Sequence, residues 1–216
     1  MSAILKTLEL VRQKLNESFK NAHPRDDDWV ILSNVVDQEG HPYEEAKQKV
    51  LMILANIQNE TVVSTYNRAA PVKGEQYAVV APPIYVDLYV LFYANFENKN
   101  YPEGLAMISE TISFFQQNPW FTWDTLPGLG PEIKKLTFEL SNLEMTDLNY
   151  LMGMLSAKYL PSVYYKVRLI PFQSGAMQAQ LPPVRGVEPP SKLADVPAGE
   201  PDEEAAPGGD GRRDAE

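Results

Sequence analysis

Between residues 3 and 20 apolar side chains recur as Ile4, Leu8, Val11, Leu15 and Phe19. Spacings of three and four place them on one helical face, with Lys6, Arg12, Lys14 and Glu17 largely outside it. Asn21 to Pro24 ends this helix, and Asp26, Asp27 and Asp28 read as a solvated turn. Residues 29–36 (WVILSNVV) form a continuous β-branched run, and 49–57 (KVLMILANI) are apolar on both faces, as a central strand is. A polar connection over 64–82 leads into the clearest alternation in the chain. Ile84, Val86, Leu88, Val90, Phe92, Ala94 and Phe96 face one way; Tyr85, Asp87, Tyr89, Leu91, Tyr93 and Asn95 face the other. The first set is core, and the second is a tyrosine-rich surface.

A second helix is predicted over 100–118. Asn100 can cap it, Pro102 sits in its first turn, and Leu105, Ile108, Ile112 and Phe115 form its buried stripe. An aromatic loop follows, and residues 134–140 alternate again, with Leu136, Phe138 and Leu140 inward. Thr146 caps a short helix that runs to about Leu155, and Pro161 closes the turn. In the last strand, 163–172, Val163, Tyr165, Val167 and Leu169 oppose Tyr164, Lys166, Arg168 and Ile170. The order is α-β-β-β-α-β-α-β. It predicts an α+β single domain with a largely antiparallel or mixed sheet and helices packed on one face.

Composition adds a boundary. Apolar residues make up 44% of the 216, enough for a core. Residues 187–216 hold nine acids and three bases among proline, glycine and alanine, so they carry −6 of the net −10. Residues 1–172 are therefore expected to fold, and 173–216 to form a Pro/Gly/Ala-rich acidic, disordered tail. The acidic balance argues against nucleic acid, whose phosphates need clustered Lys and Arg. The N-terminal stretch has neither the apolar run of a signal peptide nor the roughly 20 apolar residues of a membrane span, so cytoplasmic synthesis without membrane insertion is expected.

Little in the chain points to catalysis. There is no cysteine, which removes thiolate metal sites and cysteine nucleophiles. His23 and His41 both sit beside prolines in turns, Asp26 to Asp28 lack the alternation of a calcium loop, and Gly128-Leu129-Gly130 follows a tryptophan-rich loop rather than a strand. No GxSxG, HExxH or Walker-type run occurs. No enzyme activity, cofactor or metal is expected. The aromatic residues have two readings, as core and loop anchors or as the anchors of a protein interface. The interface candidates are Tyr85, Tyr89, Tyr93, Trp120, Trp123, Lys158, Tyr159, Tyr164, Lys166 and Arg168.

Four stretches carry a family resemblance: SNVVDQEG at 33–40, APPIYVDLYVLFYANF at 81–96, FFQQNPWF at 114–121 and LEMTDLNYLMGMLSAKYLPSVYYKVRLI at 143–170. Over about Ile4 to Ile170 the chain resembles the cap, or tube-terminator, proteins of extracellular contractile injection systems of the antifeeding-prophage and virulence-cassette type. The resemblance implies a structural role without catalysis. Six copies would ring the distal end of the inner tube, stop its growth and hold the last layer of the contractile sheath protein. The strand 163–172, or the segment just after it, would dock on the sheath by backbone hydrogen bonds. An assembly chaperone or adaptor for tube or sheath subunits is the alternative.

Overall fold

Helix α1 (Ala3–Ala22) buries Leu8, Val11, Leu15 and Phe19, the stripe its spacing predicts, and adds Asn16 from the same face. In the computed structural model, which describes residues 3–60, 69–71, 77–80, 84–130, 133–172 and 177–181, Asn16 clamps the first strand. That strand, β1 (Val30–Leu32), is at the sheet edge, and Val30 would otherwise bury an unpaired backbone. The Asn16 amide donates to the Val30 carbonyl at 2.8 Å, and the Val30 N–H donates to Asn16 Oδ1 at 2.9 Å. The acidic turn before it is less free than its composition implies. Asp28 accepts from Arg12 and Lys20 of α1, and Asp27 is paired with Arg25 and Lys49. The Lys20 hydrogen bond is the main reason the Asp28 carboxyl is held below its ordinary value.

The remaining elements are β2 (Lys49–Asn59), β3 (Ala69–Pro71), β4 (Tyr77–Val80), β5 (Ile84–Asn95), α2 (Tyr101–Gln117), β6 (Trp120–Phe121), β7 (Leu136–Leu140), α3 (Met145–Met154), β8 (Ser162–Phe172) and β9 (Met177–Leu181). Six strands form a mixed sheet in the order β1-β2-β5-β8-β7-β6, parallel only between β1 and β2. A second sheet has the order β3-β4-β9. Since β3 follows β2, β4 precedes β5 and β9 follows β8, it repeats the order of the three strands from which it continues. β3 and β4 lie in the stretch predicted as a polar connection. β9 lies in the stretch 173–216 assigned to the tail, the rest of which, 173–176 and 182–216, is outside the described residues.

The main core lies between α1, α2 and one sheet face, where Phe92, Phe115, Phe121, Phe138 and Tyr165 meet ring against ring. Phe115 and Phe138 stack at 4.4 Å between centroids. Helix α2 sits so close that a Cβ on Gly104 would come 3.0 Å from Phe96 Cβ. Helices on one face describe α1 and α2 but not α3. Leu151 and Met152 of α3 pack on the opposite face, against Leu51, Ile53, Leu91 and Tyr93.

Several local expectations are corrected. The buried residues of α2 are Gly104, Met107, Thr111, Phe114 and Phe115, so its inward stripe is rotated and leaves Leu105 and Ile112 exposed. The Asn100 side chain donates to Gln48 Oε1 instead of capping α2, and Thr146 lies inside α3, with Glu144 at the cap position. In β8 the register against β5 slips by one residue between Val167 and Ile170, a β-bulge that turns Ile170 into the core. Leu140, expected inward, is exposed at the end of β7.

Candidate functional site

The bulge and the pleat decide what appears on the sheet face away from α1 and α2. Core-facing Leu88, Val90 and Phe92 alternate with Asp87, Tyr89 and Leu91; Val163, Tyr165 and Val167 alternate with Tyr164, Lys166 and Arg168; Leu136 and Phe138 alternate with Thr137 and Glu139. Phe121 is in the core, so its neighbour Trp120, paired with Thr137, is on the same open face. Helix α3 covers the side of this face nearer β2. What it leaves uncovered is a strip running across β5, β8, β7 and β6.

The strip is aromatic and internally ion-paired. Tyr89 stacks on Tyr164 at 5.6 Å between centroids. Lys166 Nζ is 2.9 Å from Asp87 Oδ2 and 5.8 Å above the Tyr89 ring. Arg168 reaches Glu60 at 2.6 Å and Glu139 at 3.1 Å, and Lys135 Nζ lies 4.4 Å over the Trp120 ring. The hydrogen bond that Lys166 donates to Asp87 raises the Lys166 pKa, and those that Arg168 donates to Glu60, then Glu139, raise Arg168. Burial raises Tyr164. Asp87 is 2% exposed, and its Oδ1 has no hydrogen-bond donor among the described residues.

Five of the predicted interface residues, Tyr89, Trp120, Tyr164, Lys166 and Arg168, thus share one surface. The others are placed differently. Tyr93 is 1% exposed under α3, and its hydroxyl donates to the Lys158 carbonyl at 2.7 Å, so it is a core residue that fixes the turn after α3. Tyr85 is half-buried at the start of β5, and Trp123 is exposed in the turn after β6. Lys158 and Tyr159 are exposed just past α3. Tyr159 borders an open groove of about 580 Å³ whose lining includes Met145, Asn149, Met152 and Gly153. The strand β8, expected to dock by its backbone, lies between β5 and β7, so its ladder is already occupied over 165–168.

Sequence reading did not find Glu60, Asp87 or Glu139. Each reveals its role only through strand register, which puts acids beside bases 29 to 108 residues away. A second polar group, Asp37, Glu39 and His41, brings potential ligand atoms within 4.8 Å of one another. The turn itself accounts for that proximity, because the His41 N–H donates to Asp37 Oδ1 and the Gly40 N–H to the Asp37 carbonyl. Within the strip every base is matched by an acid or a ring. An aromatic, ion-paired surface of this kind suits contact with another protein.

Among the described residues no helix is long and apolar enough to cross a membrane. The family model described as the Pvc16 N-terminal domain matches residues 6–186. The fold is similar to the sheath/tube terminator of an extracellular contractile injection system, PVC, in its extended state (TM-score 0.57, 13% identity, 85% of this chain and 62% of that one). It is also similar to the tube-terminating cap of the anti-feeding prophage (TM-score 0.53, 13% identity, 83% and 59%). At that identity the likeness is one of fold, and the chain spans about three fifths of each of those proteins. No curated protein sequence matches it.

Proposed function

The chain belongs to the Pvc16 N-terminal domain family, and from that premise we propose that it is a structural cap, which ends the inner tube of a contractile injection system and holds the adjoining sheath layer. The observation that carries this reading is a family match across 6–186 in a chain whose fold is shared by a sheath/tube terminator and a tube-terminating cap. Six copies form the ring on this reading, each meeting the next through a different pair of surfaces. Residues 3–172 are the body of the subunit and 182–216 an acidic appendage. Assembly takes place in the cytoplasm, and the cap remains part of the finished particle.

The open sheet face supports a role in contact rather than turnover. Its charges are mutually neutralised, so a flat partner can cover it without stranding an unpaired ion. The backbone route to the sheath belongs to β9. Among the described residues β9 is an edge strand, paired only with β4, so its outer N–H and C=O groups can extend a partner's sheet. Catalysis has no part in this account.

The test is retention and position. Particles purified from cells making an epitope-tagged chain should carry the tag at one end only. A tag found with free tube subunits but absent from finished particles would replace the cap with a transient chaperone.

A further inference from the structure

The outward side of α2 carries no charge. From Gly104 to Ser109 and from Thr111 to Gln117 there is no Asp, Glu, Lys or Arg. Tyr101, Leu105 and Ile112 are exposed with Ile108 half-buried beside them, four residues on one flank of the helix. The two acids of α2, Glu103 and Glu110, are seven residues apart on the other flank, where Glu110 lies 3.8 Å from His23 at the end of α1. Surface helices normally alternate charge on the solvent side, and loss of charge is the compositional mark of an interface core.

The α3 groove is the matching feature. Met145 is 78% exposed and Tyr159 65%, and both line it. Gly153 stands on its wall in the last turn of α3, with an ordinary helical φ, and a Cβ built there meets nothing within 4 Å. Glycine weakens a helix, and among the described residues no close approach calls for it at this position. Space for a neighbour's approach does.

We propose that the uncharged face of α2 on one copy of the chain seats in the α3 groove of the next copy. The occupant is a second copy for three reasons. First, α2 and α3 are on opposite faces of the same sheet, so each chain carries one of each partner surface, as a head-to-tail contact requires. Second, copies of net charge −10 repel, and these are faces where they can meet without opposing like charges. Third, exposed charges of opposite sign adjoin the two surfaces in sequence: Lys99 immediately precedes α2, whereas Glu144 and Asp147 are next in the chain to the groove-lining Met145, Thr146 and Leu148. The inference rests on the ring reading above and names the surfaces that close it.

The test uses the full chain with Leu105→Glu, Met145→Glu and Gly153→Leu, all at positions with room for the change, and circular dichroism to verify folding. In sedimentation velocity and native mass spectrometry the wild type self-associates. Each variant alone is monomeric, with association weakened about tenfold or more by a charge or a side chain forced into the contact. A mixture of the Leu105→Glu and Met145→Glu chains keeps one intact contact per pair, so it forms dimers and nothing larger. A wild type that is monomeric throughout, variants that associate like it, or a mixture that gives only monomers or full-sized assemblies would each overturn the inference. None of these results moves the tag from the particle end, so they leave the cap reading to its own experiment.

Discussion

Asn16 shows how one side chain can stand in for a missing strand. Its amide satisfies both backbone groups of Val30 on the edge of the sheet. Asn16→Ala should lower the unfolding free energy by about 1–3 kcal/mol, because a buried N–H and C=O lose their partners together. Urea denaturation would measure it. Asp87 and Lys166 pose a different problem. The carboxylate is buried and the ammonium about one quarter exposed, so Lys166→Met leaves a buried charge uncompensated. The expected loss is roughly 1–3 kcal/mol, less than for a fully buried pair, and Asp87→Asn should cost less still. Tyr93 and Tyr165 set the alkaline limit. Burial pushes both hydroxyls up to about 12 from the ordinary 10.0, so the folded chain favours the neutral phenols. Their contribution is complete below pH 10 and is lost as pH rises through about 12. Stability should therefore decline across that window, and Tyr93→Phe should make the decline shallower.

Among the elements, α1, α2, α3, β5 and β8 were legible because their periodicities are long and their faces differ in polarity. The limits of that legibility are physical. The β8 alternation was read correctly up to Val167 and inverted at Ile170, since an extra residue in one strand leaves no mark on composition. In α2 both Leu105 and Met107 are apolar, and only packing against Phe96 at Gly104 fixes which one faces inward. Strands β3, β4, β6 and β9 are two to five residues long, too short for a periodic signal. Gly153 gives the prediction proper to this scale. Gly153→Ala should stabilise the isolated chain by about 0.5–1 kcal/mol while weakening self-association, a divergence that thermal melting and sedimentation would show together.

For the molecule as a whole, the α+β architecture and the mixed sheet could be read from element order, but the two-faced layering could not. Nothing local to α3 distinguishes a helix beside α1 from one across the sheet; Leu51, Ile53, Leu91 and Tyr93, drawn from two strands, decide it. The sequence offers ten aromatic and basic interface candidates, and five of them share the open strip, whereas the acids that complete it needed the register. That layering gives the chain two unlike surfaces, one on each side of the sheet, which is what the proposed head-to-tail contact uses. The most direct measurement of the central claim is the length of injection particles assembled with and without the chain, by negative-stain electron microscopy. A cap predicts a narrow distribution when it is present, and long, variable or unsheathed tubes when it is missing. Particles of unchanged length with sheath fully in place would contradict it.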